Sequence, residues 1–456
     1  MQSKRVPSSS APEPSGRHAV LPWPLPRRGW LVAALLGLAS IGSQFDRTVI
    51  NLMVAPLKAA FSLDDTHFGM LQGVAFGIFY VLACVPIGYL ADRFQRRTII
   101  GVGIGLFSLL AMASGLARSY AQLFLTRIGV AVGEASLTPA ALSMLSDLFP
   151  PEELGRPVSA FFMSAPVGQG LAFIAGGSLL QWLSTSTLLR SGPLSGLAAW
   201  QAAFIIVGFP VVLLVPFLFL QPEPLRRGSA GAASLPLKEV ATIIRERSPA
   251  LVPMFAGFAM VNLVSYTFFI WTPALFERSY GWNPAQIGVS FGLILLIAGT
   301  SGVYFAGWLA DRLARRGDLD AHLKAAAFGF VGCGLLGALA PLMPNALAAQ
   351  LLLAPAIFLS MMPYPCAGTA IQLIVPNRAR AQVTAIYVTL TTLVGLGVGP
   401  FVVGTMTDRV FRDPSDIRYS LALVIGIAVP LMFVLLLIAR RPYRALRAQP
   451  HPRSAG

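Results

Sequence analysis

Twelve long apolar stretches dominate this chain of 456 residues. Each has about the 20 residues that a helix needs to cross a bilayer. Only 12% of the residues are charged, against about 25% in soluble domains, and 55% are hydrophobic. Because a soluble core cannot absorb that much apolar surface, the pattern predicts an all-α membrane protein with twelve transmembrane helices. The approximate limits are 30–57, 67–91, 98–117, 121–146, 156–182, 200–221, 249–276, 285–310, 322–342, 346–374, 380–407 and 418–439.

The longest polar connection, residues 222–248, divides the spans into two groups of six. It contains five basic residues and two prolines near its start, which is typical of a linker between bundles. The organisation we predict has five parts. These are a disordered cytoplasmic tail (1–28), an N-terminal six-helix bundle (29–221), a cytoplasmic linker (222–248), a C-terminal six-helix bundle (249–441) and a cytoplasmic tail (442–456).

The distribution of basic residues predicts the orientation of the chain. With both termini inside, 25 of the 34 Lys and Arg residues fall on inner segments and 7 on outer segments. Cytoplasmic loops of membrane proteins carry this excess of positive charge. We therefore expect an integral protein of a bacterial inner membrane with both termini in the cytoplasm. The same distribution explains the net charge of +15 without a nucleic-acid partner.

The sequence does not contain the residue clusters that an enzyme or a metal site needs. Its three cysteines are far apart, and its four histidines lie in loops or tails. A nucleotide-binding loop and a G-x-S-x-G motif are both missing from the sequence. Since a hydrolase or transferase needs such a cluster, we predict no enzyme activity, no metal and no cofactor.

One motif of ten residues occurs twice. Residues 88–97 read GYLADRFQRR after the second span, and residues 307–316 read GWLADRLARR after the eighth. The equivalent positions predict two pseudo-symmetric bundles around a central cavity. Glycine allows close helix contact, and aspartate is favoured near a helix N-terminus. We predict a conformational latch formed by Gly88, Asp92, Arg93, Arg97, Gly307, Asp311, Arg312 and Arg316, a device that a channel does not need.

This duplicated motif resembles the signature loop of the major facilitator superfamily, and the resemblance extends over nearly the whole chain. It implies a monomeric transporter that works by alternating access. Residues 168–177 (GQGLAFIAGG) are similar to the antiporter motif of that family, with Ala172 and Phe173 in place of its Gly-Pro. Two interpretations of this segment stay open: a bend that favours exchange, or ordinary packing of small residues.

Four ionisable residues lie deep inside predicted spans, where such residues are rare, costly and usually functional. Asp46 and Arg47 are in the first span, and Arg127 and Glu134 share one face of the fourth. We expect Asp46 and Arg127 to meet at a similar depth. Burial disfavours a charged carboxylate and a nearby arginine favours it, so a moving cavity can load and release a proton. We predict that Asp46 and Glu134 couple transport to protons; the alternative is a static cluster that only holds two helices together.

The segments around these charges are similar to one branch of the superfamily. Residues 127–136 (RIGVAVGEAS) and 45–48 (FDRT) resemble the Spinster-like branch of the superfamily, most clearly over residues 40–180. The resemblance implies that the four charged residues form the polar centre and that the substrate is a lysolipid. We expect Arg47 and Arg127 to bind its anionic headgroup.

The second half offers a wall without charges. Its candidate substrate-binding residues are Asn262, Tyr266, Tyr364 and Thr391. One charged half that faces one uncharged half suits an amphipathic substrate. We therefore predict a proton-coupled secondary transporter in the lipid bilayer that exports a lysolipid-like or organic-anion substrate. A drug or organic-anion/proton carrier of the same fold is the alternative.

Overall fold

The computed structural model describes residues 26–150, 153–187, 189, 195–226 and 236–448, and every regular element in these ranges is helical. Eleven helices there are long and apolar enough to cross a membrane. The predicted all-α membrane class is confirmed. The eleven helices are Asp65–Ala91, Arg96–Ser114, Tyr120–Leu148, Gly155–Thr185, Ala199–Phe219, Ser248–Tyr280, Pro284–Arg315, Ala321–Leu342, Ala346–Ile374, Gln382–Phe411 and Pro414–Ala448.

The first span is a further helix, Pro26–Val49, of 24 residues. Its last two turns contain Gln44, Asp46 and Arg47, which make it less apolar than the other spans. The predicted stretch 30–57 does not continue as one helix. A 3₁₀ turn at Ile50–Leu52 leads into a separate helix, Val54–Phe61, because Pro56 lacks an N–H and its ring clashes with the preceding turn.

The twelve spans form two pseudo-symmetric six-helix bundles around a central cavity. Since the spans alternate in direction, the duplicated motifs, the linker and both described ends lie on one side, which we call the motif side. The opposite side is called the far side. The structure differs from the predicted boundaries at two places. The linker contains a helix, Leu237–Glu246, and the last helix continues to Ala448, with Tyr443 fully buried. Residues 1–25, most of the predicted first tail, lie outside the described ranges.

Two seams of glycine residues join the bundles on the far side. In the first seam, between the fifth and eighth spans, a Cβ atom on Gly288 would lie 2.2 Å from the carbonyl oxygen of Phe173. In the second seam, between the second and eleventh spans, a Cβ atom on Gly404 would lie 2.2 Å from the carbonyl oxygen of Asp65. Only glycine permits backbones to approach this closely. Both seams therefore depend on the lack of a side chain at these positions.

The glycine-rich segment 168–177 takes part in the first seam. Gly177 faces the carbonyl oxygen of Pro284 in the eighth span, whereas Gly168 packs on Gln44 and Gly176 on Val49 in the first span. This placement agrees with the packing interpretation of the segment. The exchange interpretation stays a prediction.

Replacing a seam glycine is expected to destabilise the protein. In Gly288→Ala the new methyl group collides with a backbone carbonyl, so we expect the free energy of unfolding to fall by about 1–3 kcal/mol. Gly88→Ala is the matched control, since no atom lies within 4 Å of its Cβ position and alanine favours a helix over glycine by about 0.5–1 kcal/mol. Thermal unfolding in mild detergent measures both. Equal melting temperatures for the two variants would contradict the role of the seam.

Candidate functional site

A buried ion pair joins the first and fourth spans. The Nη1 atom of Arg127 donates to the Oδ2 atom of Asp46 at 2.6 Å. Arg127 is 0% exposed and Asp46 is 2% exposed. The expectation that these two residues meet is confirmed. Because both charges are buried, removing either residue would leave the other as an uncompensated buried charge.

A second ion pair lies beside the first. The Nε atom of Arg47 donates to the Oε2 atom of Glu134 at 2.5 Å, and the hydroxyl of Ser43 donates to the same oxygen at 2.8 Å. Consecutive residues on a helix point about 100° apart, so Asp46 and Arg47 reach different partners on the fourth span. The four predicted charges thus form two neighbouring pairs, which we call the polar cluster.

Aromatic rings of the second span cover the polar cluster. The guanidinium carbon of Arg47 lies 4.5 Å from the ring centre of Phe76 and 4.7 Å from that of Tyr80. Arg127 approaches the same Phe76 ring at 5.5 Å. Phe76 belongs to a π-helical segment, Met70–Ile78, and such segments are frequent at functional sites. The rings offer both arginines a cation–π contact and exclude water from one face.

Some hydrogen-bond donors and some acceptors of the polar cluster have no partner among the described residues. Within the part of the chain that the structure describes, four of its atom positions have no partner: Oδ1 of Asp46, Oε1 of Glu134, and Nε and Nη2 of Arg127. Buried polar atoms normally have partners. A polar group of a ligand could accept from the Arg127 donors, and each unpartnered carboxylate oxygen is a position where a proton could bind.

The candidate binding residues of the second half differ in their surroundings. The Tyr364 hydroxyl donates to the Oδ1 atom of Asn262 at 3.0 Å. Tyr266 interacts electrostatically with Arg47 across the two halves. Thr391 is instead buried, and its hydroxyl donates to the carbonyl oxygen of Tyr387 in its own helix. A role of Thr391 in binding stays a prediction, although its side chain is already satisfied.

Sequence reasoning missed the uncharged polar residues around the cluster. Ser43 donates to Glu134, and Gln72 donates to the buried Asn51, whose own amide reaches the carbonyl oxygen of Phe269 at 3.5 Å. Ser43 stands four residues before Arg47 on the same helix, so the two share a helix face, and Asn51 follows in the 3₁₀ turn after that helix. This spacing was the available signal, but a search for charges alone passes over it.

The duplicated loops are open to solvent in this conformation. Neither Gly88 nor Gly307 has an atom within 4 Å of its Cβ position, so the predicted close helix contact is not made here. Arg93 lies over the Tyr89 ring at 4.2 Å, and Arg312 lies over the Trp308 ring at 5.3 Å. Asp311 and Arg316 are exposed, and the side chain of Asp92 lies outside the described part. The latch role of these loops remains a prediction.

The buried arginine of the first loop is Arg96, which the sequence analysis did not select. Its Nε atom donates to Glu223 at 2.9 Å, and its Nη1 atom donates to Asp147. Arg97 also contacts Glu223, but through its backbone N–H at 3.0 Å. These contacts join the start of the third span to the end of the fourth span and to the segment after the sixth, all within one bundle.

The second bundle has a comparable tie with the charges reversed. Asp320 is 0% exposed and precedes the ninth span. It accepts from Arg440 of the last span, and it also lies 3.8 Å from Lys324 and 3.9 Å from Arg444. An acid at the start of the ninth span thus takes the place that a base, Arg96, has at the start of the third.

Removing one member of a buried ion pair is expected to destabilise the protein more than removing both members. Asp46→Leu leaves Arg127 as an uncompensated buried charge, so we expect about 3–5 kcal/mol of lost stability. The double variant Asp46→Leu with Arg127→Leu should regain most of that loss. Thermal unfolding in detergent measures the cycle, with Asp318→Asn in the exposed Asp318–Lys324 pair as an unchanged control. A double variant that is less stable than both single variants would refute this account.

Comparisons with known proteins agree on one family. The model of the Major Facilitator Superfamily matches residues 36–400. An MFS-type efflux pump of Mycolicibacterium smegmatis is 29% identical over 409 residues, which cover 88% of this chain and 90% of that protein. Protein spinster homolog 1 of Bos taurus is 30% identical over 411 residues, covering 84% and 74% respectively.

Solved structures give the same result. A bacterial homologue of the human lysosomal transporter Spinster, in an inward-facing and unoccupied conformation, is similar with a TM-score of 0.77 and 25% sequence identity. The similarity covers 94% of this chain and 100% of that one. A D-xylose-proton symporter, with a TM-score of 0.67 and 16% identity, shares the fold.

Proposed function

This chain belongs to the major facilitator superfamily as a transporter of Spinster type, and we propose that it is a proton-coupled secondary transporter that works by alternating access. Its substrate is a lysolipid-like or organic-anion amphiphile, which it exports. The single observation that carries this proposal is the polar cluster, with two buried carboxylates, each paired to one arginine.

The proton would be carried by Asp46 or Glu134. Each carboxylate shares one oxygen with an arginine and keeps the other free of protein partners in the described part of the chain. Burial disfavours the charged carboxylate, and the neighbouring guanidinium favours it. A movement of the bundles that changes water access or the distance between the two groups therefore changes whether a proton is held.

The substrate headgroup would bind at Arg47. Its side chain is 21% exposed, whereas Arg127 is fully buried, so Arg47 is the more accessible cation. It lies against the rings of Phe76 and Tyr80, which offer apolar surface next to a positive charge. Asn262 and Tyr364 add polar but uncharged groups on the facing wall. This combination suits an anionic amphiphile better than a sugar.

The sidedness of the proposal rests on the basic residues. We assign the motif side to the cytoplasm, since 25 of the 34 Lys and Arg residues fall on the inner segments predicted from the sequence, and the membrane to the inner membrane of a bacterium. The hydrogen bonds and ion pairs between the halves, within the described residues, lie on the far side. The conformation then corresponds to an inward-facing state, as in the similar solved structure. The similarity to an efflux pump supports export.

The coupling proposal can be tested in proteoliposomes that contain a pH-sensitive dye. Lysolipids, bile-acid-like anions and cationic dyes are added in turn, and we expect an anionic amphiphile to drive proton flux. Asp46→Asn or Glu134→Gln should abolish the flux. Asp318→Asn should not, because this acid lies on an exposed loop, where a hydrogen bond from Lys324 holds its pKa below the usual range. Substrate movement without protons in the unmodified protein would show that the cluster serves binding or packing instead.

Arg47 is expected to determine the preference for anions. Losing a hydrogen bond to a charged group costs about 1.5–3 kcal/mol, so Arg47→Gln should weaken binding of an anionic lysolipid about tenfold to a hundredfold. Arg418→Gln is the control, since Arg418 also lies over a ring, that of Tyr419 at 4.6 Å, but on the far side. Ligand-induced thermal stabilisation measures both. If only cationic dyes bind, and binding is unaffected by Arg47→Gln, the alternative of a drug carrier is favoured.

A further inference from the structure

The last helix is longer than the membrane is thick. It spans Ile417–Ala448, which is 32 residues or about 48 Å, whereas the hydrocarbon core of a bilayer is about 30 Å thick. Residues 419–439 contain no charged side chain and have about the length that crosses this core. Residues 440–448 contain four arginines and are still helical. The helix therefore leaves the hydrocarbon on the motif side with its basic end among the lipid headgroups.

A groove lies along this helix where its apolar part meets its basic part. The groove has a volume of about 560 Å³. Three apolar and three basic side chains line it: Val434, Leu437, Ile438, Arg440, Arg441 and Arg444. Among the described residues, no acidic side chain lines it. The three apolar side chains are each between 48% and 56% exposed, so they face the lipid chains, and residues three or four positions apart continue the same stripe into the arginines.

A buried acid holds two of these arginines from the protein side. Asp320 precedes the ninth span, and the nearest nitrogen of both Arg440 and Arg444 to its carboxylate is Nε. Arg440 donates to Asp320, and Arg444 lies 3.9 Å away. A guanidinium has five N–H donors. In the described part of the chain no hydrogen bond uses the Nη atoms of these two residues or any donor of Arg441, so most of the donors are available to a ligand.

Positive charge is in excess around the groove. Asp318 interacts electrostatically with Arg440 and Arg444, and it forms an ion pair with Lys324, which also lies 3.8 Å from Asp320. Two acids and four bases therefore leave a net charge of +2 at this place. Basic residues next to the end of a span attract anionic lipids, and arginine can bind a phosphate group through two parallel N–H donors.

We propose that this groove is a binding site for an anionic phospholipid. The headgroup phosphate binds to Arg441 and to the free donors of Arg440 and Arg444, and one acyl chain lies along Leu437 and Ile438. The apolar wall favours a lipid over a soluble anion, because a soluble anion gains nothing from apolar surface. The last helix packs on the seventh and ninth spans of its own bundle, so this site is separate from the polar cluster between the first and fourth spans. The inference goes beyond the proposed function and depends neither on the transported substrate nor on proton coupling.

The site can be tested by native mass spectrometry of the full chain in mild detergent while phosphatidylglycerol is titrated in. A basic residue at the membrane surface strengthens the binding of an anionic lipid about fivefold. We expect Arg441→Gln and Arg444→Gln each to raise the dissociation constant by this factor, and the double variant to raise it about twentyfold. Both variants keep the contact of Arg440 with Asp320. Phosphatidylcholine with the same acyl chains should bind more weakly and should not respond to either variant.

A matched variant separates the groove from general attraction to a basic surface. Arg315→Gln removes an exposed arginine on the same side that does not line the groove, so the dissociation constant should not change. Thermal unfolding without added lipid checks that the variants are folded. Arg441→Gln should unfold at the same temperature as the unmodified protein, because no contact of Arg441 with the described residues is lost.

Three results would overturn the proposal. An equal loss of lipid binding in Arg315→Gln would show attraction to the whole basic surface. Displacement of the lipid by inorganic phosphate would identify a site for soluble anions. A complex of doubled mass that Arg441→Gln abolishes would assign the groove to a second copy of the chain. Because lipid binding is measured without transport, failure of this site leaves the transporter proposal standing, and absence of proton flux leaves the lipid site standing.

Discussion

The polar cluster can exist only because its charges neutralise one another in pairs. Asp46 with Arg127, and Arg47 with Glu134, place two acids and two bases between the first and fourth spans. An isolated charge at this depth costs several kcal/mol, so each helix is held in register with the other by the need to keep both pairs. This requirement fixes which faces of the two spans meet, and the rings of the second span then close over the arginines. Any step that separates a pair must supply water, a proton or a ligand group in its place.

The two bundles are joined by a different kind of contact. In lipid, apolar side chains gain little by leaving the bilayer for a neighbouring helix, so helix association depends on close packing and polar contacts. The seams follow this rule, with backbone against backbone at Gly288 and Gly404 and charges only at the far end of one seam. Separating the glycine contacts would leave no charge unpaired. Separating the contacts of Asp65 and Asp408 would leave charged groups without their partners. Among the described residues, the charged contacts between the bundles are therefore concentrated at a few polar atoms.

The sequence predicted the spans well because their signal is local. A run of apolar residues long enough to cross a bilayer identifies a helix whatever its neighbours are, and the break in the first predicted span follows from Pro56. The four deep charges could be found because charge is rare in lipid, and the meeting of Asp46 with Arg127 followed from their depth. Partners such as Tyr80 and Arg278 could not be selected, since their residue types are common at span ends or on helix faces and only the packing of distant segments brings them together.

On the motif side, each bundle contains one buried charge that connects spans of that bundle. Arg96 is enclosed by Asp147 and Glu223 in the first bundle, and Asp320 by Arg440 and Lys324 in the second. These ties connect spans of the same bundle and do not cross between the two bundles. The duplicated halves thus place an ion pair at equivalent positions with the signs of the charges reversed. Other side chains of the duplicated motifs, such as Asp311 and Arg316, are exposed.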